Sequence, residues 1–385
     1  MAVPFFSGAR SFERRWPRIR ELLGEALDSG AFVNGRVVAQ LERALEDYTG
    51  AAHAIAVGSG TEALIVALES CGVGRGDEVA VPVYTFFASA SSVVHVGAKP
   101  VFVDVLPGSY AIDPGDLEAR VTPLTKAVMP VHLFSQMADM TAVMDVADRH
   151  ALTVVEDSAE AIGMAFDGVP GGRFGRAGIL SFFPTKTLGA LGDAGMVLTD
   201  DDEVAERCRR LRNHGQVPGE RPYVWDAMGI NSRMDDIQAA VLLARLETLD
   251  DDLARRAELA RRYDARLADV RGPVQTPAIV DERATAAWYV YLIEADDRDR
   301  LVDHLAANGI ETEIYYPRPL HLQPCFAELG YGRGDFPVAE RCASRAVGLP
   351  FYPDMLDEQV DEVCAAIASF YERESEPAAQ TEGVL

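Results

Sequence analysis

The chain has 385 residues, a formal net charge of −24 and a sequence pI of about 4.7. So acidic a surface repels nucleic-acid phosphates and anionic lipids, which argues against nucleic-acid and membrane binding. No apolar run reaches the ~18 residues that a membrane span needs, and the N-terminus lacks the apolar core of a signal peptide, so we expect a cytoplasmic protein.

Short apolar, β-branched runs fill the first half of the chain, and stretches with helical periodicity lie between most of them. Such alternation is typical of a mostly parallel sheet that is covered on both faces. The last two runs are joined by a segment without a helical pattern, so an antiparallel last strand is allowed. The predicted strands are Ala54–Val57, Glu78–Val81, Val101–Asp104, Ala127–Pro130, Leu152–Val155, Ile179–Phe182 and Met196–Thr199.

The pattern changes in the second half. Asp235 and Asp236 can cap a helix, and an Arg- and Glu-rich helical pattern then runs to about Val270. The strings WYVYLIEA (288–295) and IETEIYYP (310–317) indicate strands among amphipathic helices. We therefore predict a large domain over residues 1–245, a small α+β domain over 246–371, and a disordered Glu- and Pro-containing tail over 372–385.

A glycine turn, GSGTEA (58–63), follows the first predicted strand and opens a helix. Glycine lets the backbone approach a ligand, the helix N-terminus offers N–H groups to an anion, and Thr61 adds a hydroxyl. The turn is therefore either a phosphate site or a structural strand-to-helix connection. It also fits the dinucleotide fingerprint, but Asp77 and Glu78 precede the next strand and Pro82 follows it, so the acid expected for NAD is missing.

Two further predicted strands are followed by residues that can take part in catalysis. The apolar run 152–155 leads into Glu-Asp-Ser-Ala-Glu (156–160), and a carboxylate there can keep a pyridine nitrogen protonated or can cap a helix. The string SFFPTKTLG (181–189) places Lys186 in a loop, where a partly desolvated amine can form a Schiff base. Lysine alone is usually a surface residue. A phosphate turn, a carboxylate and a lysine at three strand ends together indicate pyridoxal 5'-phosphate (PLP).

Cysteine and histidine spacing adds no further chemistry. The cysteines are five in number and scattered, and none is spaced CxxC, which predicts reduced, mostly structural thiols. No His or Cys cluster has metal-ligand spacing, so we expect no metal site.

Nine strings in a fixed order carry a resemblance to a known family. They are GSGTEAL (58–64), VPVYTFFAS (81–89), KPVFVDV (99–105), PVHLFSQMADM (130–140), EDSAEAIG (156–163), SFFPTKTLGALGDAG (181–195), LRNHG (211–215), INSRMDDIQAAV (230–241) and PLHLQP (319–324). From about residue 5 to 370, the chain resembles the sugar aminotransferases of the DegT/DnrJ/EryC1/StrS family. The resemblance implies an α/β fold of the fold-type I PLP-transferase type: a large domain with a mostly parallel seven-stranded sheet, and a small α+β C-terminal domain.

The resemblance assigns a cofactor role to several matching positions. Lys186 would be the Schiff-base lysine and would shuttle a proton during transamination. Asp157 would pair with the pyridinium nitrogen. Gly60 and Thr61, together with Ser181, would hold the phosphate.

Other matching positions are expected to contact the ring, the partner or the substrates. Phe86 would stack on the cofactor ring, although an aromatic in an apolar string is more often a core residue. Asn231 would reach the phosphate of the other subunit, which implies a homodimer with shared active sites. Arg233 would receive the donor's carboxylate through its guanidinium fork, and an ordinary surface arginine is the alternative. Tyr316 and His321 lie where relatives contact substrate, and a buried, hydrogen-bonded histidine is the alternative for His321.

Two positions depart from the commoner family pattern. Glu160 stands where many relatives carry Gln or His beside the ring oxygen of the cofactor, and a charged carboxylate there would repel that oxygen. Our hypothesis is that Glu160 is protonated, water-bridged or turned toward a substrate hydroxyl. Ser135 replaces the usual glycine of the HLFG-type string, which would reshape the nearby pocket.

The resemblance implies an aminotransferase that moves an amino group from L-glutamate or L-glutamine to the keto group of a nucleotide-linked sugar. The product would be an amino sugar for an antibiotic, a glycan or a surface polysaccharide. An aminotransferase for a keto-inositol, in an aminocyclitol pathway, is the main alternative, and FFPTKTLGALGDAG (182–195) resembles the nucleotide-sugar branch more. A non-catalytic PLP-fold regulator is a further alternative. Dehydratases of the family carry a histidine in place of the lysine, so Lys186 argues against that activity.

Overall fold

The computed structural model describes residues 2–217 and 223–375. In chain order, the strands are β1 (His53–Val57), β2 (Glu78–Pro82), β3 (Lys99–Val103), β4 (Thr125–Val128), β5 (Thr153–Asp157), β6 (Ala165–Phe166), β7 (Val169–Pro170), β8 (Ala177–Ser181), β9 (Gly195–Thr199), β10 (Val274–Gln275), β11 (Ala284–Thr285), β12 (Tyr291–Ala295) and β13 (Ala346–Leu349). The α-helices are α1 (Ala9–Ser29), α2 (Arg36–Thr49), α3 (Gly60–Ser70), α4 (Phe87–His95), α5 (Pro114–Arg120), α6 (Met140–His150), α7 (Asp202–Leu211), α8 (Asp236–Leu246), α9 (Leu249–Leu267), α10 (Arg298–Ala307), α11 (Pro337–Arg345) and α12 (Asp357–Ser375). Leu320–Leu322 and Pro324–Leu329 form 3-10 helices.

A seven-stranded sheet with the order β1-β9-β8-β5-β4-β2-β3 forms the centre of the molecule. Its strands are parallel except β9, which runs antiparallel to both of its neighbours, β1 and β8. Every strand of this sheet was predicted, with bounds that differ by at most two residues. The predicted fold class is confirmed, and the antiparallel direction that the sequence allowed for the last strand is the one observed.

Helices cover both faces of this sheet. Along β1, Ala54 and Ala56 pack into a core with α1, α2 and α8, while Ile55 and Val57 pack into a second core with α3 and α7. Successive side chains of a strand point to opposite faces, so a continuous apolar run is what a sheet buried on both sides requires. The two cores fix the strand ends from which the site is built.

The C-terminal region has a sheet of its own, with the order β10-β12-β13, which packs with α9, α10 and α12. The N-terminus of the chain joins this region, since Val3 pairs with Ile310 and both are buried in the same core. A third small sheet, β11-β6-β7, was not predicted because its strands are two residues long.

Two predictions about helices were wrong in detail. The pattern that begins near Asp235 is broken at Glu247 and Thr248, so two helices, α8 and α9, replace one continuous helix. Asp236 does not cap its own helix; its carboxylate accepts the backbone N–H groups of Gly35, Val37 and Val38 at the start of α2. A helix start about 200 residues away supplies its partners, which local sequence cannot indicate.

Two other segments differ from expectation. The string 310–317 is not a regular strand: Ile310 and Glu313 each make an isolated bridge, to Val3 and Gly348. α12 continues to Ser375, so the first residues of the tail predicted to be disordered are helical, and residues 376–385 lie outside the described residues. Within the described ranges, no helix is both long enough and apolar enough to cross a membrane.

Candidate active site

A cavity of about 520 Å³ opens at the carboxyl ends of the parallel strands. Ligands of α/β proteins bind at this edge of the sheet. The cavity brings together most of the predicted site residues: Gly60, Thr61, Phe86, Asp157, Glu160, Ser181, Lys186 and Tyr316. Asn231, Arg233 and His321 do not line it within the single chain.

The glycine turn forms one end of the cavity. Ser59 caps α3, and a Cβ atom on Gly60 would lie 2.7 Å from the Cβ of Ser181. A Cβ on Gly195 would lie 2.4 Å from the carbonyl oxygen of Ser59. Glycine is therefore required at both position 60 and position 195. The turn is thereby held against β8 and β9, with the N-terminus of α3 and the hydroxyl groups of Thr61 and Ser181 at the cavity. This is a donor set for a phosphate.

Asp157 ends β5 and is buried at the base of the cavity. The hydroxyl of Ser89 donates to its Oδ2 at 2.7 Å, and the N–H of Ala159 donates to its Oδ1 at 3.2 Å. Burial raises the pKa of Asp157, and these two hydrogen bonds oppose that shift. The carboxylate is therefore oriented, and it faces a cavity in which a protonated ring nitrogen would be its natural partner.

Lys186 is paired with Glu160, the position that departs from the family pattern. Lys186 Nζ donates to Glu160 Oε1 at 2.9 Å and lies 4.3 Å from the centre of the Tyr289 ring. The N–H of Phe134 donates to the other oxygen, Oε2, at 2.8 Å. Burial is the largest single influence and acts to lower the pKa of Lys186, but the charge and hydrogen bond of Glu160, together with Tyr289 and Asp157, outweigh it and the pKa is raised to about 12.

Two buried arginines hold the backbone around Lys186 from the helices behind it. Arg245 on α8 donates to the carbonyls of Gly189 and Thr187, at 2.6 and 3.3 Å. Arg256 on α9 donates to the carbonyl of Tyr289 and to that of the residue before it, at 3.1 Å each. Burial lowers the pKa of both guanidinium groups to about 10, and both remain charged at neutral pH. The lysine loop is thus bonded to α8, and the Tyr289 segment is bonded to α9.

Several site residues were missed from the sequence. Tyr289 lines the cavity, and its hydroxyl lies 3.2 Å from Thr185 Oγ1. His132 also lines it and bonds through Nε2 to Glu156 at 2.9 Å. His132 lies inside a string that carried the resemblance, so a signal existed, whereas Tyr289 sits in an ordinary strand pattern. Ser135 is buried but does not line the cavity.

Asn231 and Arg233 lie close to the glycine turn but do not line the cavity. Between them, Ser232 accepts the N–H of Gly58 at 3.1 Å and donates to Glu62 at 2.6 Å. Arg233 Nη1 donates to Asn213 Oδ1 at 3.2 Å. Asn231 is exposed, and Arg233 is partly buried.

The remaining predicted residues have different settings. The Tyr316 N–H donates to the hydroxyl of Tyr84 at 2.9 Å, and the Tyr316 ring lies 6.3 Å from that of Phe86, which is 58% exposed. His321 is buried away from the cavity, with Nε2 3.2 Å from Glu340. Burial lowers the pKa of His321, an arrangement usual for a structural histidine.

Comparison with known proteins places this site in a family. The sequence model of the DegT/DnrJ/EryC1/StrS aminotransferase family matches residues 16–368. The chain belongs to this family. It is 45% identical over 372 residues to a pleiotropic regulatory protein of Geobacillus stearothermophilus, covering 96% of this chain and 99% of that one. It is 40% identical over 370 residues to the dTDP-3-amino-3,4,6-trideoxy-alpha-D-glucose transaminase of Micromonospora megalomicea, covering 95% and 98%.

Solved structures agree with this assignment. The crystal structure of S. venezuelae DesV in complex with a ketimine intermediate superimposes with a TM-score of 0.92 at 38% identity, covering 97% of this chain and 99% of that one. As a DegT/DnrJ/EryC1/StrS aminotransferase, the chain is a PLP-dependent transaminase of fold type I. The cavity fits this cofactor, since Thr61 and Ser181 place hydroxyl groups at a helix N-terminus, Asp157 is a buried acceptor and Lys186 is the amine.

Proposed function

We propose that this transaminase moves an amino group from L-glutamate or L-glutamine to the keto group of a nucleotide-linked sugar, and that it works as a homodimer with shared active sites. The observation that carries the acceptor class is a group of aromatic rings that line the cavity: Phe86, Tyr289, Tyr315 and Tyr316. Aromatic rings with polar edges offer apolar faces to a sugar ring and hydrogen-bonding groups to its hydroxyls.

The named activities of relatives support the same class of acceptor. They include a dTDP-linked sugar transaminase, a UDP-N-acetyl-3-dehydro-alpha-D-glucosamine 3-aminotransferase and GDP-perosamine synthase, at 39–40% identity. All three act on sugars that carry a nucleoside diphosphate, with three different bases. The common part, a sugar on a diphosphate, is what we assign to this chain.

Separate residues of the chain hold the phosphate, orient the ring and transfer the proton. Bound PLP supplies a carbonyl that takes up the amino group and a ring that withdraws electrons. Gly60, Thr61 and Ser181 hold the phosphate, Asp157 orients the ring and keeps its nitrogen protonated, and Lys186 as a free amine carries a proton to and from the reacting carbon. The hydroxyls of Tyr315 and Tyr316 stay neutral, because burial raises the pKa of both well above the usual value.

The charge of the cavity supports a second subunit at the site. Among the described lining residues, Asp157, Glu160, Asp193 and Glu313 are acidic, and Lys186 is the one side chain with a permanent positive charge. The cofactor phosphate, a sugar diphosphate and the donor carboxylate are all anions, so such a lining lacks the cations to bind them. Arg233 of the partner subunit would provide one.

The surface around the cavity supports the same arrangement. Phe183, Leu191 and Ile237 are large apolar side chains that are 46–53% exposed in the single chain. Phe183 lines the cavity, and the N–H of Leu191 bonds to Gln238, beside Ile237. Exposed apolar residues that cluster at a site mark an interaction surface. A second copy of the chain seated there would bury them and bring Asn231 and Arg233 to the cavity.

The chemistry is tested on the purified, PLP-loaded protein by absorption spectroscopy. Addition of L-glutamate or L-glutamine should bleach the visible band, and a dTDP- or UDP-linked ketosugar should then restore it and yield an amino sugar by mass spectrometry. Restoration by a keto-inositol, with no response to nucleotide sugars, would redirect the proposal to aminocyclitols. No bleaching by either donor would refute the donor assignment.

The shared site is tested by mixing two inactive variants, Lys186→Ala and Arg233→Ala. If Arg233 acts on the partner's site, a heterodimer has one site with both residues intact, and about a quarter of all sites recover after equal mixing. If Arg233 serves the site of its own chain, mixing restores nothing. Co-expression with two affinity tags isolates the heterodimer directly.

A further inference from the structure

Glu160 is a buried carboxylate in contact with the catalytic lysine. Its side chain is 6% exposed, and its two oxygens have different partners: Oε1 accepts Lys186 Nζ at 2.9 Å, and Oε2 accepts the N–H of Phe134 at 2.8 Å. The hydrogen bond from the Phe134 N–H holds the carboxylate in place, and a proton can pass through the contact with Lys186. A proton exchanged with Lys186 therefore binds to Oε1 and not to Oε2.

From this geometry we infer that Glu160 is the proton acceptor of Lys186: when the cofactor is captured, the proton of the lysine ammonium moves to Glu160 Oε1 and stays there. The step breaks one N–H bond and forms one O–H bond across the 2.9 Å contact, and no other reactant takes part. It leaves Lys186 as the free amine that attack on a carbonyl requires, and Glu160 as a neutral carboxylic acid.

Retention of the proton follows from the surroundings of Glu160. Among the described residues, the titratable groups that act on Lys186 include Asp157 and Tyr289 besides Glu160, and Glu160 in turn acts on Tyr315 and Tyr316. Once Lys186 is neutral, an ionised Glu160 would be a second buried carboxylate beside Asp157, and the ring nitrogen that Asp157 keeps protonated balances only one of the two. Transfer of the lysine proton removes that charge.

The same transfer accounts for the departure from the family pattern. Gln or His in this position offers a hydrogen to the ring oxygen of the cofactor, which an ionised Glu cannot do. A neutral carboxylic acid carries an O–H donor. Glu160 would therefore repel that oxygen only until Lys186 has given up its proton, and would donate a hydrogen bond to it afterwards.

The lysine half of this inference is tested by NMR on the full-length protein without cofactor. The sequence contains three lysines, Lys99, Lys126 and Lys186, so labelled lysine side chains give three resonances, and Lys186→Ala identifies one of them. In the wild type, Lys186 should titrate at higher pH than the other two. In Glu160→Gln its titration should move to lower pH, because burial is then opposed only by Tyr289 and Asp157. An unchanged titration of Lys186 in Glu160→Gln would overturn the inference.

The carboxyl half is tested by infrared difference spectroscopy on addition of PLP. Protein labelled with ¹³C-glutamate should gain an isotope-shifted carboxylic-acid C=O band on loading. The band should be absent in Glu160→Gln and retained in Glu313→Gln, a matched control at the other cavity-lining glutamate. Absence of the band in the wild type would overturn the inference whether or not any variant folds, since the proton would then have left for solvent.

Discussion

Two parts of the cavity are built in different ways. The floor, which consists of Gly60, Asp157, Ser181 and Lys186, comes from strand ends and the loops directly after them. The wall, which consists of Tyr289, Glu313, Tyr315 and Tyr316, comes from segments that carry little regular structure and make isolated bridges. The floor rests on the two cores that cover the large sheet, and the wall packs against a third group of buried residues that includes Tyr84 and Phe134.

The different construction of floor and wall suits two different requirements of an enzyme. Cofactor chemistry is the same for every substrate and needs fixed geometry, which strands packed on both faces provide. Substrate choice has to vary among relatives, and irregular segments tolerate exchange of side chains without loss of the sheet. We therefore expect substitutions in the floor to abolish chemistry and substitutions in the wall to change which acceptor is used.

The largest effect is expected from Lys186→Ala. Without an amine on the floor, the visible band of the loaded protein should not form and transamination should fall by at least about 10³-fold. Absorption spectra and single-turnover rates measure this. Lys126→Ala, an exposed lysine on β4, is the matched control and should behave as the wild type. If Lys186→Ala turned over at a rate comparable to that of the wild type, the floor would not carry the chemistry.

Arg256→Met removes the side chain that bonds the Tyr289 segment of the wall to α9. It leaves two buried backbone carbonyls, one of them that of Tyr289, without their donor, and this should lower the free energy of unfolding by about 2–4 kcal/mol. Denaturant unfolding measures the loss, and the ring of Tyr289 should become more mobile over Lys186. Arg261→Met, on the exposed side of the same helix, should cost less than about 0.5 kcal/mol. Equal losses in both variants would mean that the carbonyl contacts contribute nothing specific.

Asp157→Asn is expected to stabilise the protein without cofactor, although it removes a catalytic group. Burial raises the pKa of Asp157 in the folded state, so the folded protein binds that proton more tightly than the unfolded chain. At neutral pH the ionised form therefore destabilises the fold, and the effect disappears as the pH falls through the raised pKa. Unfolding at neutral pH should show the variant as the more stable protein, with the two curves converging in acid. The opposite order at neutral pH would mean that Ser89 and Ala159 more than offset burial.

The smallest effect is expected from Glu313→Gln in the wall. Cofactor loading and the free energy of unfolding should stay within about 0.5 kcal/mol of the wild type, since Glu313 is exposed. Removal of one negative charge from the cavity should lower KM for an anionic nucleotide sugar by a few-fold and should leave kcat unchanged. A change in the spectrum of the bound cofactor would show that wall and floor are not separable.

The floor could be predicted from the sequence because strand periodicity and short motifs locate it. Each strand run places its next residues at one sheet edge, so Gly60, Asp157 and Lys186 were brought together by topology alone. The wall could not be predicted in the same way. Tyr289 meets Lys186 across more than 100 residues, so the contact leaves no local pattern. The same holds for one detail of the floor, the bond from Ser89 to Asp157 across 68 residues. The resemblance supplied Tyr316, but His321, taken from the same region, lies outside the cavity.

The antiparallel direction of β9 limits the length of the lysine loop, which joins β8 to β9. Because β9 begins at the edge where β8 ends, the lysine loop leaves and re-enters the sheet at adjacent points, and the N–H of Phe182 bonds to the carbonyl of Ala194 at 2.9 Å to close its base. Gly195 then touches the backbone of Ser59. The length of this loop therefore sets the distance between Lys186 and the glycine turn at 58–63, and one added residue would displace both. At the other end of β9, after Thr199, an insertion would lengthen only a connection to α7, so inherited or engineered additions should be tolerated there first.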